Sequence, residues 1–507
     1  MAKTLEEKMA RFKEMQPCLY YDGERIENWT EHPVFQMHIA GLAQMIGGMH
    51  TPEWKDDCIK ESYIAKGAEV DRWCDLRKTA DDWITQANVG REYCRRSRCV
   101  GCLRSDMAMA GWATAWEIDQ KYKTNYHDRF KEWLAHVHKE DLFVAGALID
   151  ARGDRSKPPY SGQPDPDSYL RIVEKRKDGI VVRGVKPHAS MSPLAEEVFV
   201  CTCQPFAGPQ DKDWAVAFSV PIDTKGVKFI FKAMPTPKVG VMEYPFMAAG
   251  GTTESWAIFD DALIPWERVF MAGEWEFGTP FADRLLGETH AWGKCQCKPG
   301  IMDMLVGLGL MIGEANGVPE HAVKAKLIPI MAEAEQYRAM GIGSAMMGSA
   351  HPSGVWFTNS AVNAAIKYQS SLSMGHHLDE LMDLAGGSLV TAAGEKNWFN
   401  PETRPILEKY WQGNPSLSGE DRFRAMMAVR DYTMGGMADY HRAFAVIAGG
   451  GRIFQEQTLW KNYPREDVLL TAKAIAGIEE KDAKGVTAVS LPYPEKFEAK
   501  VWRGPKE

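Results

Sequence analysis

The period at which apolar residues recur changes twice along this chain of 507 residues. Residues 1–142 carry apolar residues at helical spacing, whereas residues 143–278 contain short alternating runs that are typical of β-strands. From residue 279 the helical period returns, in runs long enough to build a bundle. The sequence therefore predicts an α+β protein with an N-terminal helical domain (1–142), a middle β-rich domain (143–278) and a C-terminal helical bundle (279–507).

Several local signals support this division. In the first region, helical spacing is present at residues 61–67, 80–89 and 107–119. In the middle region, the alternating run at residues 169–174 is followed by Lys177-Asp178-Gly179 and a second apolar run, which predicts a β-hairpin. The last region carries four long helical runs, at residues 301–317, 322–347, 355–382 and 422–448.

Composition excludes several classes of protein. Hydrophobic residues make up 45% and charged residues 25%, which is a normal globular balance. The net charge of -8, without a dense basic run, argues against nucleic acid as a partner. The charged N-terminus is not a secretory signal, and the apolar window at residues 301–313 is too short to span a bilayer and contains Asp303. We therefore expect a cytoplasmic protein that binds neither nucleic acid nor membrane.

Half of the ten cysteines lie in two dense groups. In the first group, Cys99-Val-Gly-Cys102 fits a redox-active pair, a zinc site or one edge of an iron–sulfur cluster. Cys94 is a rival ligand for either member of this pair. Arg95, Arg96 and Arg98 flank the pair, and positive charge favours the thiolate form. A surface arginine turn with incidental cysteines is the alternative interpretation.

The second group lies almost two hundred residues later, where His290 and Cys297 are seven residues apart. If this segment is helical, seven residues place both side chains on one face. Cys295 competes with Cys297 for the role of ligand. Two nearby thiolates and a distant His/Cys pair together predict one four-ligand metal or iron–sulfur site. A structural histidine, or a structural zinc in a scaffold or binding protein, is the alternative.

Two other common kinds of site are not predicted. The sequence contains no Gly-x-Gly-x-x-Gly or Walker loop, so neither a Rossmann nor a P-loop nucleotide site is suggested. It also contains no Gly-x-Ser-x-Gly nucleophile elbow.

Five blocks of the sequence carry a resemblance to a known family. They are Asn28-Trp-Thr-Glu-His-Pro33, Gly153-Asp154-Arg155, Ala472-Lys-Ala-Ile-Ala-Gly477 and the runs at residues 117–127 and 170–184. Over nearly its whole length the chain resembles the 4-hydroxybutyryl-CoA dehydratase family. More loosely, it is similar to the 4-hydroxyphenylacetate 3-hydroxylase flavoproteins.

The resemblance implies a fold, an assembly and a chemistry. The fold is acyl-CoA dehydrogenase-like, the assembly is a homotetramer, and each active site holds FAD and a 4Fe–4S cluster. The reaction is that of a hydro-lyase, a carbon–oxygen lyase that dehydrates an unactivated hydroxyacyl-CoA such as 4-hydroxybutyryl-CoA, with or without Δ-isomerase activity. The 3-hydroxylase flavoproteins lack the cluster, so the four candidate ligands favour the dehydratase branch.

The resemblance also implies the ligands of the cluster, which are three cysteines and one histidine. His290 and Cys297 match cleanly. The family spacing of the earlier pair is Cys-x-x-x-Cys, whereas this chain has two residues between Cys99 and Cys102. Cys102 fits best when counted back from Glu117, Cys99 is its preferred partner, and Cys94 is the alternative.

Further residues match catalytic and flavin-binding positions of the family. His290, Glu254 and Lys298 are expected to be catalytic, although Glu254 also fits a solvated carboxylate at a strand edge. Six residues are expected to bind FAD, namely Asp154, Arg155, His188, Ser190, Gly386 and Gly387. A turn with a surface ion pair is the alternative for the Gly-Asp-Arg block, and a helix C-cap is the alternative for the two glycines.

The chain departs from the family at two positions. Lys294 stands where the family has an active-site tyrosine, and Ala443 stands where it has a catalytic glutamate, with His441 or Arg442 as neighbours that could compensate. These changes leave the cofactor set intact and the substrate open. The alternatives are therefore a related iron–sulfur flavoenzyme that eliminates from a different substrate, which need not be a CoA ester, and a flavin-dependent aromatic monooxygenase.

Overall fold

The fold mixes helices with sheets, which confirms the mixed class predicted from the sequence. The computed structural model describes residues 3–97, 103–202, 204–232, 240–248, 254–444, 446 and 448–475. Within these ranges, the helices of the first half are α1 Leu5–Glu14, α2 Pro33–Met49, α3 Lys55–Cys58, α4 Ala80–Ser97, α5 Leu103–Tyr122, α6 Tyr126–Glu140, α7 Pro245–Ala248 and α8 Gly278–Ala282.

The helices of the second half are longer on average. They are α9 Lys294–Asn316, α10 Glu320–Met346, α11 Ser360–Ala385, α12 Ser388–Thr391, α13 Lys396–Phe399, α14 Arg404–Tyr410, α15 Gly419–Thr433, α16 Gly436–Ala438, α17 Arg452–Asn462 and α18 Arg465–Ile475. Two segments, Asp283–His290 and Asp439–Phe444, are π-helical. The predicted run at residues 422–448 is interrupted after Thr433, where Met434 and Gly435 form a turn.

Fifteen strands are present in the described ranges. They are β1 Cys18–Tyr21, β2 Glu24–Ile26, β3 Ile59–Glu61, β4 Glu69–Asp71, β5 Val144–Ala147, β6 Arg171–Lys175, β7 Gly179–Lys186, β8 Ala189–Ser190, β9 Glu197–Cys201, β10 Val216–Pro221, β11 Val227–Phe231, β12 Ser255–Pro265, β13 Val269–Ala272, β14 Ser349–Ala350 and β15 Trp356–Phe357. The helix predicted at residues 61–67 is wrong, because this stretch is the connection inside the β3–β4 hairpin.

Two sheets make up the β-rich region. The first has six strands in the order β2-β1-β11-β12-β7-β6, and the second has five in the order β13-β10-β9-β5-β8. The predicted hairpin is confirmed, since β6 and β7 pair antiparallel with Lys175 opposite Ile180. Strand β1 pairs in parallel with β11, so the N-terminal region adds two strands to this sheet. The division into three domains stays a prediction.

Helix α9 lies at the centre of the helical region, where it packs against α4, α10, α11 and α15. Glycines permit close packing against α10: a Cβ at Gly309 would lie 2.6 Å from Leu327 Cδ2. The run Trp275–Asn316, which includes α9, is long and apolar enough to cross a membrane by length and composition. However, 67% of its most apolar window is buried, as in the core helices of soluble proteins.

Candidate active site

His290 ends the π-helical segment Asp283–His290, and side chains from α11 and the residues before it hold that segment. The last carbonyl groups of a helical segment have no partners within that segment, so they need donors from elsewhere. Thr358 Oγ1 donates to the Glu288 carbonyl at 2.6 Å. Asn363 Nδ2 donates to the Gly287 carbonyl at 3.1 Å and to the Glu288 carbonyl at 3.3 Å. The position of His290 therefore depends on α11 as well as on its own helix.

A buried carboxylate receives a hydrogen bond from the His290 ring. Nδ1 of His290 lies 2.9 Å from Oδ2 of Asp106, which is in the first turn of α5. Arg77 donates to the other oxygen of Asp106, also at 2.9 Å. Burial lowers the pKa of His290, as does the positive charge of Lys294, whereas the hydrogen bond to Asp106 acts in the opposite direction. The imidazole is thus held neutral beside a carboxylate.

The two cysteines of the second group point to different neighbours. A Cβ at Gly341 of α10 would lie 2.3 Å from Cys295 Sγ, so Cys295 packs into the contact between α9 and α10. Cys297 is also buried, but it lies near Lys367 of α11. Residues two apart on a helix lie on nearly opposite faces. The geometry therefore favours Cys297 over Cys295 as the partner of the residues around His290.

The expectation that His290 and Cys297 share one helical face is wrong in its premise. Residues 291–293 form a turn between the π-helical segment and α9, with Lys294 N bonded to the Ala291 carbonyl at 3.1 Å. The two residues therefore do not lie on one continuous helix. They nevertheless share a neighbour, because Lys367 interacts electrostatically with both His290 and Cys297.

Three buried lysines surround this region. Lys294, Lys298 and Lys367 are only 5%, 3% and 0% exposed. Burial lowers the pKa of Lys367 to about 6, and repulsion from Lys294 and Lys298 adds to this effect. Its amino group donates to the Val446 carbonyl at 3.0 Å. The positive charges of Lys294 and Lys298 favour a negatively charged group in this region.

The glycine run after the second π-helical segment closes over the same residues. Gly449 has φ +82°, and a Cβ there would lie 2.9 Å from Cδ2 of His290 and 3.6 Å from Cε of Lys294. Glycine is required at this position both for its left-handed backbone and for the close approach. The break predicted from the sequence at this run therefore lies directly against the candidate site.

The structure brings Glu254 and Ser190 together, although they are 64 residues apart. Ser190 ends β8, which pairs with β5, and Glu254 immediately precedes β12. The Ser190 hydroxyl lies 2.7 Å from one carboxylate oxygen of Glu254 and 2.8 Å from the other. Both residues are half-buried. Glu254 is thus hydrogen-bonded to Ser190 at the start of its strand. A carboxylate that is bound only to solvent would not have this partner.

The Gly-Asp-Arg block forms an exposed turn. The Asp154 carboxylate accepts hydrogen bonds from the hydroxyl of Ser156 at 2.7 Å and from its backbone N–H at 2.9 Å, and both lower the pKa of Asp154. Arg155 and His188 are exposed. The turn is tied to the sheet by a buried ion pair between Lys186 and Asp150 at 2.7 Å. The flavin-binding role of these residues stays a prediction.

The remaining predicted positions lie at helix ends. Gly386 follows α11 with φ +77°, and neither it nor Gly387 has an atom within 4 Å of an added Cβ. His441 is buried and stacks on Tyr432 with ring centroids 4.0 Å apart. Arg442 pairs with Asp379 at 2.6 Å on the surface, where Ala443 is also exposed. The two glycines can therefore end α11 and still leave space for a ligand beside them.

The earlier cysteine pair lies outside the described residues. On either side of Cys99 and Cys102, α4 ends at Ser97 and α5 begins at Leu103. Within the ranges that the structure describes, no group of three or more His, Cys, Asp or Glu side chains is arranged to hold a metal. Cys94 is buried next to α9, since a Cβ at Gly300 would lie 2.8 Å from its Cβ. Cys94 stays an alternative ligand.

Arg77, Asp106 and Lys367 are site residues that the sequence analysis missed. Asp106 follows Cys102 by four residues and precedes a run of apolar residues, so it resembles an ordinary acidic residue in the first turn of a helix. Lys367 lies on the buried face of α11 among small and apolar residues. The sequence could have indicated Lys367, because a charged residue on an apolar helix face is unusual. It could not have indicated Arg77, because the role of Arg77 depends on contacts between segments that are distant in the sequence.

Family models and known proteins match nearly the whole chain. The N-terminal model of 4-hydroxyphenylacetate 3-hydroxylase matches residues 4–271, and the C-terminal model of the same enzyme matches residues 281–477. The 4-hydroxybutyryl-CoA dehydratase/vinylacetyl-CoA-Δ-isomerase of Clostridium aminobutyricum is 30% identical over 94% of this chain and 100% of its own length. The oxygenase component of 4-hydroxyphenylacetate 3-monooxygenase from Thermus thermophilus is 25% identical over 92% of this chain and 95% of its own.

Solved structures give the same two groups. An oxygen-tolerant archaeal 4-hydroxybutyryl-CoA dehydratase from N. maritimus superposes with a TM-score of 0.88, at 28% identity and with 96% of each chain covered. The oxygenase component of a 4-hydroxyphenylacetate 3-monooxygenase, solved in complex with FAD, has a TM-score of 0.83, at 25% identity, and covers 94% of this chain and 98% of its own.

Proposed function

Since this chain belongs to the 4-hydroxyphenylacetate 3-hydroxylase family, we propose that it acts in the manner of 4-hydroxybutyryl-CoA dehydratase. The proposed reaction is the removal of water from an unactivated hydroxyacyl-CoA, with or without isomerisation of the double bond. The observation that carries this proposal is the pairing of His290 with Asp106 beside buried Cys297 and three buried lysines. A flavin monooxygenase has no need for a soft-ligand pair in this position.

The donor set around His290 fits an iron–sulfur cluster. Nδ1 of His290 is bonded to a carboxylate, which leaves Nε2 as the ring nitrogen for a metal. Cys297 supplies a buried thiol, and the nearby lysines offset the negative charge that a thiolate-bound cluster brings. We assign Cys99, Cys102, His290 and Cys297 as the ligands of a 4Fe–4S cluster. When bound, the cluster supplies a Lewis-acidic iron for the hydroxyl group that leaves.

FAD is the second proposed cofactor, and the acyl-CoA dehydrogenase-like fold is the architecture proposed to hold it. An FAD complex is known for a structural neighbour, the 4-hydroxyphenylacetate 3-monooxygenase oxygenase component. In this chain, the Ser190 hydroxyl and the open space beside Gly386 and Gly387 fit a flavin. When bound, FAD supplies the one-electron oxidation that acidifies an otherwise unactivated β-hydrogen.

The side chains of this chain have three tasks in the proposed reaction. Glu254 accepts a proton from the substrate, and the hydrogen bond from Ser190 fixes the direction of its carboxylate. His290 is the second group proposed to move a proton, and it would do so through Nε2 when that nitrogen is not bound to iron, because Nδ1 is held by Asp106. Lys298, buried one residue after Cys297, stabilises the negative charge that develops on the thioester.

A homotetramer is the proposed assembly. Many large apolar side chains on the C-terminal helices are exposed in the single chain, which is unusual for a surface that faces only water. They include Leu310, Ile328, Met346, Phe399, Tyr410, Ile453 and Trp460. Contacts with further copies of the chain would bury such side chains.

Anaerobic purification followed by cofactor analysis and assay tests the proposed function. We expect a brown protein with FAD and about four iron atoms per chain. We also expect it to remove water from at least one member of a panel of hydroxyacyl-CoA esters, as detected by mass spectrometry. A yellow, iron-free protein that consumes oxygen with reduced flavin would instead identify an aromatic monooxygenase, and a colourless zinc protein would exclude both.

Lys294 favours a second candidate, an iron–sulfur flavoenzyme of the same type with a different substrate. Lys294 is 5% exposed, and its positive charge lowers the pKa of both His290 and Lys367. A buried cation is costly without a partner. The charge therefore favours a substrate with a carboxylate or similar anionic group near the reacting carbons, in place of the neutral chain of 4-hydroxybutyryl-CoA.

The same panel separates the two candidates if it includes hydroxyacyl-CoA esters with a second carboxylate. If Lys294 binds that group, Lys294→Gln should raise KM for the anionic ester by about 10-fold or more and leave the neutral ester nearly unchanged. An equal effect on both esters would assign Lys294 to the cofactors and not to the substrate.

A further inference from the structure

Arg77 and Asp106 form a hydrogen-bonded chain that ends on the ring of His290. Each carboxylate oxygen of Asp106 has its own partner: Oδ1 accepts from Arg77 at 2.9 Å, and Oδ2 lies 2.9 Å from Nδ1 of His290. The three residues come from three segments that are distant in the sequence. We infer that Arg77 and Asp106 are positioning residues, which fix the orientation and the tautomer of His290.

The tautomer follows from the chemistry of the pair. A carboxylate oxygen only accepts hydrogen bonds, so Nδ1 of His290 must carry the proton. In a neutral imidazole the lone pair is then on Nε2, which is the ring nitrogen that can bind a metal or a proton. Without Asp106, the proton would distribute between the two ring nitrogens.

Arg77 is itself held rigidly. Its guanidinium lies 3.8 Å from the ring centroid of Trp83 and 5.8 Å from that of Trp292, as in cation–π contacts. Both indoles are anchored to backbone, since Trp83 Nε1 donates to the Trp356 carbonyl at 2.9 Å and Trp292 Nε1 donates to the Gly341 carbonyl at 3.0 Å. Motion of the Asp106 carboxylate is therefore restricted by two fixed aromatic rings.

Stability alone does not account for this arrangement. Arg77 and Asp106 are each 1% exposed, and a fully buried ion pair loses solvation that its attraction only partly restores. Apolar residues of similar size often stabilise a core as well or better. A role in orienting His290 explains why two charges are placed here.

Asp106 also connects the start of α5 to His290. Asp106 lies in the first turn of α5, immediately after residues 98–102, which contain Cys99 and Cys102. The bond to His290 therefore joins the start of α5 to the segment that carries His290. The ligand role of His290 rests on the proposed function, whereas the assignment of its tautomer does not.

The tautomer is tested by ¹⁵N NMR on the full chain stripped of iron, with histidine labelled and the His290 signals assigned with His290→Gln. We expect the Nδ1–H form in the unaltered protein and a mixture of tautomers in Asp106→Ala. Glu117→Gln is the matched control, because Glu117 accepts from Nε2 of His351 at 3.1 Å and does not contact His290. A tautomer of His290 that is the same in Asp106→Ala as in the unaltered protein would overturn the inference.

Asp106→Asn is the second variant, in case the alanine variant does not fold. Its amide either accepts from Nδ1–H or donates to Nδ1, so two His290 tautomers are expected and an unchanged single form would contradict the inference. Retention of iron against a chelator is the independent readout. We expect retention to weaken by about 10- to 100-fold in Asp106→Ala, by less in Arg77→Lys, and not in Glu117→Gln. If the unaltered protein binds no iron, the proposed function fails while the NMR result still decides the role of Asp106.

Discussion

The two groups of candidate site residues differ in how their polar side chains are held. On what we call the helix side, Arg77, Asp106 and His290 form a largely buried chain supported by tryptophans and by the start of α11. On what we call the sheet side, Ser190 and Glu254 are half-buried and bond directly to each other. The helix side has the rigidity that a metal ligand requires. The sheet side leaves its carboxylate accessible, as proton transfer to a substrate requires.

Substitutions on the helix side and on the sheet side should therefore have different effects. On the helix side, loss of one group should remove a cofactor, because a cluster needs all its ligands. On the sheet side, loss of one group should slow the reaction and leave the cofactors bound. The predictions below run from the largest expected effect to the smallest.

Cys297→Ser should remove most of the iron on the helix side. The cluster would lose a thiolate ligand, so iron should fall from about four atoms per chain to near zero. Cys295→Ser is the matched control, since Cys295 packs against Gly341 and should keep its iron. Iron analysis of anaerobically purified protein measures both. The opposite pattern, with iron lost only from the Cys295 variant, would show that the two cysteines are assigned in the wrong order.

Glu254→Gln should lower turnover by about 100-fold or more, since the substitution removes a proton acceptor. Iron and FAD content should be unchanged, because the sheet side holds no cluster ligand. Glu174→Gln, at an exposed carboxylate in β6, is the control and should have normal turnover. Steady-state kinetics together with cofactor analysis give the result. Loss of iron in Glu254→Gln would contradict the distinction between a helix side that holds the cluster and a sheet side that transfers protons.

Asn363→Ala should destabilise the fold by about 1–3 kcal/mol, because the buried carbonyl groups of Gly287 and Glu288 lose a donor. Urea denaturation measures this free energy. Asn316→Ala is the control: Asn316 donates to the Leu384 carbonyl at 3.2 Å, far along the chain from His290. Both variants should lose stability, but only Asn363→Ala should also lose iron. Equal iron content in the two variants would show that the π-helical segment does not support the metal site.

Ser190→Ala should lower turnover by about 10-fold, since one hydrogen bond to a carboxylate contributes about 1–2 kcal/mol. Ser192→Ala is the control, because the Ser192 hydroxyl pairs with that of Ser255 at 2.6 Å and not with Glu254. Steady-state kinetics on both variants check this expectation. A Ser190 variant as slow as Glu254→Gln would mean that the hydroxyl itself takes part in the reaction.

The sequence predicted the elements that depend on local patterns. Apolar spacing located α5, α9 and α10, and Asp178-Gly179 located the β6–β7 hairpin. The run at residues 61–67 failed because a short apolar run has no clear period, and pairing with β4 decides the conformation. Strands β1 and β2 were also missed, since their partner β11 lies about two hundred residues away in the chain.

The candidate site was predictable only in part. His290 and Cys297 were proposed from their residue types and spacing, and Glu254 was proposed through the resemblance. The structure adds the contacts that His290 makes with Asp106 and that Glu254 makes with Ser190. The bond between Asp106 and His290 joins residues 184 apart, so no local pattern could indicate it. The π-helical segment was equally hidden, and its last carbonyl groups accept hydrogen bonds from Thr358 and Asn363, which lie in a later part of the chain.

A head-to-head assay of one preparation tests the central claim most directly. Protein purified without oxygen is divided: one half receives the panel of hydroxyacyl-CoA esters anaerobically, and the other receives 4-hydroxyphenylacetate, reduced flavin and oxygen. The account predicts that at least one ester loses water and that the phenol is unchanged, as followed by mass spectrometry. Hydroxylation of the phenol, with every ester recovered intact, would contradict it.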